Sequence, residues 1–363
     1  MHLHVRLGLA TDGIFPHAVG GMQRHTVFLA NALVAAGIDV EVIAPSGHEH
    51  GDYRFEVVTA EWPRGGPYPL TLQRWSQRVV EVMRGRDYDI VYGQGLTLWG
   101  STPPNGAPTV FNPHGLELCT VPERVARLKA WPLRVGARRQ ARVASRTISL
   151  GGRLTNVIVN CLGVPRDRVA IVPNGVEPSY FTPNEVERNP RVVLFVGRLS
   201  ANKGLDVLCE AALQLPEDVR VLIAGEGPMR PELEQRYADP RIEFLGAVAE
   251  SDLRALYRQA AVLALPTRSD GMPTVILEAF CCGTPAVATD VGAIAELIDD
   301  TTGVLLPRSD ATLLATALRR IIDLPADERR AMARATRARV ESRFSWSAVA
   351  RQTQTLLEEV AAS

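Results

Sequence analysis

The sequence predicts an α/β protein in which two similar domains each hold a mainly parallel β-sheet covered by helices. Short apolar runs alternate with helical stretches along the whole chain, which is the pattern of such folds. At 363 residues the chain is also too long for one comfortable hydrophobic core. Residues 173–190 are rich in Pro, Asn and Glu and have the composition of a linker. We therefore place an N-terminal domain at 1–172 and a C-terminal domain at 191–344, and the final helix, 345–363, closes onto one of them.

The strand candidates are short apolar runs bounded by polar or turn residues. In the N-terminal half they are Val5–Ala10, Asp39–Ile43, Ile90–Tyr92, Thr109–Phe111, Thr147–Ser149 and Val169–Val172. In the C-terminal half they are Val192–Val196, Arg220–Ala224, Ile242–Leu245, Val262–Leu265, Ala286–Thr289 and Val304–Leu306. The helices predicted between them include Met22–Ala36, Gly204–Leu215, Pro231–Tyr237, Ser251–Gln259, Thr274–Cys282, Ala311–Asp323 and Asp327–Glu341. Ligands of open α/β sheets bind outside the carboxyl ends of the strands, so site residues are expected in the loops that follow strands.

The composition excludes several classes of function. Lys plus Arg equals Asp plus Glu, at 40 each, so no net charge draws the chain to nucleic acid, and no nucleic-acid partner is expected. No stretch approaches the ~20 apolar residues of a membrane-spanning helix, and the first residues do not resemble a signal peptide. The five cysteines match no metal-ligand spacing and are expected to be free thiols. They are Cys119, Cys161, Cys209, Cys281 and Cys282. We therefore expect a cytoplasmic protein without a bound metal or cofactor.

The first loop that carries chemistry is VGRLSANKG, residues 196–204, between a predicted strand and a predicted helix. Arg198 and Lys203 lie on this loop, and two cations beside a helix start suit a diphosphate. The loop lacks the GxxxxGK[ST] pattern of a P-loop. The GEGPMR run at 225–230 lacks the third glycine of a dinucleotide-binding fingerprint. The alternative interpretation of Arg198 and Lys203 is a pair of solvated surface cations.

A second loop of this kind is TRSDGMPTVILEAF, residues 267–280. Pro273 stands where the first turn of a helix is expected, so the amides near Met272 and Thr274 are candidate anion donors. Asp270 precedes the helix, and helix capping is an alternative interpretation of it.

Glu278, within the same predicted helix, is harder to explain as a cap. Its neighbours in the sequence are apolar, and a carboxylate in such surroundings needs a partner. Either the hydroxyls of a ribose or an arginine from the other domain would provide one.

The N-terminal half offers two weaker signals. Gly20 and Gly21 lie between the first strand and the first helix, where a glycine pair lets a phosphate or sugar approach the backbone, although any tight turn could use it. His114 follows the strand Thr109–Phe111 and is either structural or catalytic. These features and the two C-terminal loops all fall at carboxyl ends of strands, and their joint placement predicts one ligand-binding cleft.

These motifs resemble those of the retaining GT-B glycosyltransferases of family 4, and the resemblance covers essentially the whole chain. The matching segments are, in order, GGMQRH, His114-Gly115, PNGV, GRLSANKG, GEGP, FLGAV and DGMPTVILEAFCCGTPAVATDVGAIAELI. The resemblance implies the GT-B fold, with two Rossmann-like domains facing each other across a cleft and the donor held mainly by the second. It also implies that the helix beginning near Phe344–Trp346 returns to the N-terminal domain.

The resemblance further implies how a nucleotide-sugar donor would be held. Arg198 and Lys203 would bind its diphosphate, Glu278 its ribose, and Val248 would lie against the base. The backbone at Gly271–Thr274 would contact phosphate and sugar. The base of the donor, UDP or GDP type, does not follow from the side chains.

At the sugar end the resemblance implies two catalytic candidates, His114 and Asp270. His114 would contact the transferred sugar near the reacting carbon, and Gly20 or Gly21 would close on the donor from the opposite domain. Asp270 stands where the family has the first of two glutamates. Because Asp is one methylene shorter, its contact to a sugar hydroxyl shifts or is lost.

The implied reaction is metal-independent transfer with retention at the anomeric carbon. The charge that develops on the leaving diphosphate would be stabilised by the two cations and the helix amides. A GT-B-fold nucleotide-sugar epimerase and a non-catalytic sugar-nucleotide-binding protein are alternatives that would share these loops. An NAD-dependent dehydrogenase is disfavoured by the missing third glycine.

A basic segment suggests the acceptor. Between Arg124 and Arg146 there are eight basic residues and no acidic one, and with the apolar residues among them they could rest on anionic lipid headgroups. The basic residues are Arg124, Arg127, Lys129, Arg134, Arg138, Arg139, Arg142 and Arg146, and the apolar ones are Leu128, Trp131 and Leu133. Pro132 is expected to break the helix, so a simple solvated face is the alternative. The acceptor is accordingly a glycan, lipid-linked or small molecule, with the enzyme peripheral on the inner face of the membrane in the lipid case.

Overall fold

The computed structural model describes residues 5–18, 21–114, 116–120, 124–183 and 188–362. The chain divides into two units. Unit 1 comprises Met1–Gly175 and Trp346–Ser363, and unit 2 comprises Val176–Ser345.

The sheet of unit 1 has seven parallel strands in the order β3-β2-β1-β4-β5-β6-β7, which is the strand order of a Rossmann fold extended by one strand. The strands are β1 (Arg6–Ala10), β2 (Asp39–Pro45), β3 (Glu56–Ala60), β4 (Ile90–Gln94), β5 (Thr109–Asn112), β6 (Arg146–Ser149) and β7 (Val169–Ile171). The central strand β1 is flanked on both sides, with Leu9 opposite Val42 and Tyr92. Such a strand is covered on both faces, which explains why it reads as a continuous apolar run.

The helices of unit 1 cover both faces of this sheet and include the last helix of the chain. They are α1 (Gly21–Ala35), α2 (Tyr68–Met83), α3 (Glu117–Thr120), α4 (Arg124–Val143), α5 (Gly152–Val157), continued by a π-helical turn (Ile158–Leu162), and α13 (Trp346–Ala361). Helix α13 packs against α1, and its Trp346, Val349 and Leu357 enter the same hydrophobic core as Leu9. The helix that follows Ser345 therefore belongs to the N-terminal unit.

Two expectations about unit 1 are wrong. Helix α4 runs through Pro132 without a break. Proline removes one backbone N–H from the helix, but the next turns are held independently, because Ala137 and Ala141 are buried and the Arg134 side chain donates a hydrogen bond of 2.7 Å to the Leu118 carbonyl.

The expectation of five free thiols is also wrong, because Cys119 and Cys161 form a disulfide with their Cα atoms 6.0 Å apart. Their 42-residue separation hides the pairing, which arises because α3 and the π-helical turn both contact α4. The other three cysteines, Cys209, Cys281 and Cys282, are free and buried in unit 2.

Unit 2 repeats the same architecture with six parallel strands in the Rossmann order β10-β9-β8-β11-β12-β13. The strands are β8 (Asn189–Val196), β9 (Arg220–Ala224), β10 (Ile242–Gly246), β11 (Ala260–Leu265), β12 (Ala286–Thr289) and β13 (Gly303–Leu306). The helices are α6 (Leu205–Ala212), α7 (Arg230–Arg236), α8 (Glu250–Gln259), α9 (Thr274–Cys281), α10 (Ile294–Leu297), α11 (Ala311–Ile322) and α12 (Ala326–Arg339). The prediction of two α/β units with parallel sheets is therefore confirmed.

Two further findings concern the part of the chain that the structure describes. None of its helices combines the length and apolar character needed to cross a bilayer. No three of its His, Cys, Asp or Glu side chains cluster in a way that could hold a metal ion.

Candidate functional site

The loops that follow the strands of unit 2 pack tightly on one another. A Cβ atom on Gly225 would lie 1.9 Å from the Gly197 carbonyl oxygen, and one on Gly227 would lie 2.3 Å from that of Leu199. The Leu199 amide donates a hydrogen bond of 2.9 Å to the Glu226 carbonyl. The GEGP segment thus acts as a support, because only glycine lets the loop after β9 lie against the loop after β8.

This support fixes the backbone on both sides of Arg198. The Arg198 side chain is exposed, and no hydrogen bond or ion pair joins its guanidinium to the residues that the structure describes. The predicted cation is therefore available on a rigid loop.

Lys203 lies on the predicted loop and is paired with an acidic residue. It ends the short 3₁₀ turn Ala201–Lys203 before α6, and its Nζ lies 2.5 Å from Oδ2 of Asp270. Both side chains are partly buried, with 21% and 15% of their surfaces exposed. Lys203 is therefore paired with Asp270, the residue that the resemblance places at the transferred sugar.

The ion pair lies in a junction of the loops after β8 and β11. The Asn202 carbonyl accepts hydrogen bonds from the Arg268 amide (2.7 Å) and the Thr267 hydroxyl (2.9 Å), while the Asn202 side chain donates to the Ser269 carbonyl (3.1 Å). Gly204 has φ +68°, and a Cβ there would lie 2.0 Å from the Pro266 carbonyl oxygen. The junction therefore depends on backbone contacts that a larger residue at 204 would break.

The start of α9 supplies candidate anion donors. Pro273 is the residue before the helix rather than a residue of its first turn, and Thr274, the first helical residue, is exposed. Met272 is buried. The amide of Gly271 donates to Oδ1 of Asp270 at 3.0 Å, so one predicted phosphate donor is engaged by the same carboxylate that pairs with Lys203.

Gly292, which the sequence analysis did not single out, packs against the backbone of Asp270 and Gly271. A Cβ on Gly292, which has φ +58°, would lie 2.2 Å from the carbonyl oxygens of both Asp270 and Gly271. The Ala293 amide donates to the Gly271 carbonyl at 2.8 Å. The loop after β12 therefore sets the position of the Asp270 backbone.

Glu278 has a partner that neither predicted alternative names. The hydroxyl of Tyr257, on α8, donates a hydrogen bond of 2.8 Å to Oε2 of Glu278. Burial raises the pKa of Tyr257 well above its ordinary value, with the nearby Glu278 adding to the shift, so the hydroxyl keeps its proton and stays a donor. Val248, in the turn between β10 and α8, is partly exposed.

In unit 1 the predicted His114 is part of a polar cluster at the carboxyl ends of β4 and β5. Its Nε2 is hydrogen-bonded to Oε1 of Gln94, and its ring meets that of His25 edge-on at a centroid distance of 4.7 Å. Because the amide oxygen can only accept, Nε2 carries the proton and Nδ1 is an acceptor. His114 also adopts φ +51°, a conformation uncommon outside glycine.

Burial lowers the pKa values of both histidines in this cluster. The pKa of His25 falls to about 4, and that of His114 falls well below its ordinary value because of burial and the neighbouring His25. Both rings are therefore neutral at physiological pH. His25 ends the GGMQRH motif, and nothing in the sequence separates it from a surface histidine of an amphipathic helix. Gly21 is the exposed first residue of α1, whereas Gly20 lies outside the described residues.

The structure thus brings Lys203, Asp270 and Gly271 together in unit 2 and places Thr274 and Glu278 on the helix that follows. His114 and Gly21 lie in unit 1.

Two family models match the chain, one in each half. The model described as Glycosyltransferase Family 4 matches residues 19–180, and the model described as Glycosyl transferases group 1 matches residues 190–323.

Curated relatives match over different lengths. Glycogen synthase of Mycobacterium tuberculosis is 27% identical over 93% of this chain and 91% of its own length. D-inositol 3-phosphate glycosyltransferase of the same organism is 33% identical over 59% of this chain. Escherichia coli WcaL, named for colanic acid biosynthesis, is 32% identical over 54% of this chain. The chain spans about half the length of the last two, at 49% and 52%.

Solved structures share the fold at low sequence identity. Sucrose-phosphate synthase from Thermosynechococcus elongatus superposes with a TM-score of 0.82 and 22% identity, covering 99% of this chain and all of that one. Anabaena HepE in complex with UDP and glucose gives a TM-score of 0.73 and 19% identity, covering 98% of this chain and all of HepE. The predicted GT-B fold is confirmed.

Proposed function

We propose that this chain, a glycosyltransferase of the GT-B type, moves a sugar from a nucleotide-diphosphate sugar to an acceptor with retention at the anomeric carbon and without a metal ion. The observation that carries the proposal is the junction in unit 2 that holds Lys203 and Asp270 together beside the start of α9. Complexes of HepE with UDP and with UDP-glucose support a uridine nucleotide, and a GDP-type donor is the alternative.

Arg198 and Lys203 would stabilise the diphosphate as it leaves. Arg198 is exposed on a supported loop, so its position costs little reorganisation when the donor binds. Lys203 would share its charge between Asp270 and the diphosphate, and Thr274 at the start of α9 would add a backbone amide. Donors carried on a supported backbone would lower the barrier by stabilising the negative charge that develops on the leaving diphosphate.

Asp270 would act through its position between cation and sugar. One carboxylate oxygen meets Lys203 and the other meets the Gly271 amide, so the carboxylate is fixed. It would accept a hydrogen bond from a hydroxyl of the transferred sugar. Glu278 would hold the ribose while Tyr257 orients it. Val248 would lie against the base.

His114 would contact the transferred sugar as a neutral acceptor. Its Nε2 proton is engaged by Gln94, which leaves Nδ1 for a sugar hydroxyl. With its pKa lowered by burial, it would not serve as a general acid near neutral pH. Gly20 or Gly21 would close on the donor from the same unit.

The acceptor is proposed to be a glycan or lipid-linked saccharide, reached at a membrane surface. On α4, Leu128 is 76% exposed and Trp131 is 61% exposed, next to the exposed Lys129. Apolar and basic side chains on one helix suit the boundary of an anionic bilayer. The stripe itself is only partly available, because Arg134 and Arg138 use their Nε atoms on backbone carbonyls. The predicted cytoplasmic location stays a prediction.

The test is transfer by the purified chain with a panel of UDP-, GDP- and ADP-sugars, followed by NMR of the product. Arg198→Ala and Lys203→Ala should each lower the rate by about 10²- to 10³-fold, by analogy with loss of one oxyanion donor. Arg320→Ala, an exposed arginine of the same unit, is the control and should leave the rate unchanged. An inverted product would contradict retention. Isomerised donor without transfer would favour an epimerase, and binding without turnover would favour a sugar-nucleotide-binding protein.

A further inference from the structure

Unit 1 contains a small basic pocket that has no part in the proposed transfer reaction. Its volume is about 240 Å³, and it lies between the C-terminal part of α4 and the segment that follows α5. Arginines 138, 142 and 168 line it together with Asn160 and Gly163, and none of the described residues that line it is acidic.

Two of the three arginines are anchored by backbone carbonyls. The Nε of Arg138 donates a hydrogen bond of 2.7 Å to the Cys161 carbonyl, which leaves the terminal amino groups of that guanidinium for another partner. Arg168 donates to the carbonyls of Ala141 and Arg142, both at 3.4 Å, at the C-terminal end of α4. The pocket wall at Cys161 is tied to α3 by its disulfide with Cys119.

The remaining donors are not used within the described part of the chain. The Nε of Arg168 is buried without a hydrogen-bond partner there. The Arg142 guanidinium is exposed and makes no hydrogen bond or ion pair with a described residue. The unused N–H donors of Arg138 and Arg142, both of which line the pocket, favour a ligand that brings acceptor oxygens and negative charge.

We propose that this pocket binds a phosphate group, as a phosphomonoester or diphosphate. Planar guanidinium groups pair with phosphate through two parallel hydrogen bonds, and several of them can share its oxygens. The volume is below the range of pockets that enclose drug-sized ligands, so it suits a phosphate-sized head and not a whole nucleotide sugar. The donor diphosphate is assigned to Arg198 and Lys203 of unit 2, so this is a second site, and it does not rest on the proposed transfer activity.

The competing interpretation is purely structural, with Arg168 capping the carbonyl end of α4 and Arg138 fastening the turn at Cys161. Arg142 separates the two interpretations, because it lines the pocket and its guanidinium makes no hydrogen bond or ion pair with a described residue. Arg139 is its matched control, since it is exposed on the same helix and lies outside the pocket.

The experiment is calorimetric titration of the full chain with inorganic pyrophosphate. It uses the Arg198→Ala/Lys203→Ala background, so that the proposed donor site does not take up the probe. We expect saturable binding whose Kd rises about tenfold or more in Arg142→Gln, and less than about twofold in Arg139→Gln. Circular dichroism of each variant checks that it is folded. Absence of saturable binding, or equal weakening by the two substitutions, would overturn the proposal.

A second arm identifies the source of the phosphate. The same chain is sedimented with phosphatidylcholine vesicles that contain phosphatidic acid, with and without pyrophosphate. If pyrophosphate releases the chain and Arg142→Gln lowers its sedimentation, the phosphate belongs to a lipid headgroup. If pyrophosphate binds the pocket but does not affect sedimentation, the phosphate belongs to a soluble compound.

Discussion

Gly204→Ala tests whether the loop junction in unit 2 positions the candidate site. Gly204 has φ +68° and ψ +32°, and an added Cβ would lie 2.0 Å from the Pro266 carbonyl oxygen and 3.1 Å from Oγ of Ser309. No real Cβ approaches a backbone oxygen so closely. The loop that carries Lys203 and the loop that carries Asp270 must therefore move apart.

The magnitude follows from two separable contributions. Alanine in the left-handed region costs about 1–2 kcal/mol. Relieving the overlap with fixed backbone adds about 1–3 kcal/mol, as for other overpacked sites. Gly163 isolates the first contribution, because it has nearly the same conformation, φ +74° and ψ +29°, with no atom within 4 Å of an added Cβ.

The assay is hydrogen exchange measured by mass spectrometry, which gives an opening free energy for each unit separately. Gly163→Ala should lower that of unit 1 by about 1–2 kcal/mol, and Gly204→Ala should lower that of unit 2 by about 2–5 kcal/mol. Gly204→Ala should also weaken binding of the nucleotide-sugar donor, while Gly163→Ala should not. If the two substitutions cost the same and donor affinity is intact, the junction does not position the candidate site.

Three further predictions concern the cores of the two units. Burial lowers the pKa of His25 to about 4 in the folded chain, against an ordinary 6.5. The free energy of unfolding of unit 1 should therefore fall by about 3 kcal/mol as the pH falls from 6.5 to 4, because the unfolded chain binds the proton first. Denaturation of His25→Phe at the same pH values should lack this part of the pH dependence. Without reduction, alkylation of the denatured chain should modify only the three cysteines outside the Cys119–Cys161 bridge, and five alkylated thiols would contradict the bridge. Cys119→Ser/Cys161→Ser should lower the free energy of unfolding by about 4 kcal/mol, because the unfolded chain loses a closed loop. Tyr257→Phe removes the hydroxyl that donates a hydrogen bond to Glu278. It should lower the free energy of unfolding of unit 2 by about 1.5–3 kcal/mol and weaken donor binding. Unchanged stability and affinity would show that this hydrogen bond does not orient Glu278.

The fold could be predicted from the sequence because strands that are covered on both faces read as continuous apolar runs. Every predicted strand is present, with ends that shift by a few residues. The strand that escaped prediction, β3, lies at the edge of the unit 1 sheet and is only partly buried, so its apolar signal is diluted. The continuity of α4 through Pro132 was not predicted either, because the turns after it are held by burial of Ala137 and Ala141 and by the hydrogen bond from Arg134 to the Leu118 carbonyl, which local sequence does not reveal.

For the candidate site, the sequence predicted the loops but not the pairings between their side chains. Residue type and the ends of strands located Arg198, Lys203, Asp270 and Glu278. The pairings among side chains did not follow, because Lys203 and Asp270 are far apart in the chain and meet through a loop junction. For the same reason Tyr257, the partner of Glu278, carried no sequence signal: an aromatic residue on a helix reads as core.

The ion pair between Lys203 and Asp270 suggests what aspartate does at a position where the resemblance implies glutamate. The shorter side chain meets both Lys203 and the amide of its own neighbour Gly271, so the carboxylate is held close to the backbone. A carboxylate held in this way keeps its charge in the site but reaches less far toward a sugar. Lys203 must then divide its charge between a protein carboxylate and the proposed diphosphate, which leaves Arg198 as the cation of this pair with its full charge available. On this view Arg198→Ala should weaken binding of UDP more than Lys203→Ala does, and equal losses would show that the donor displaces Asp270 from Lys203.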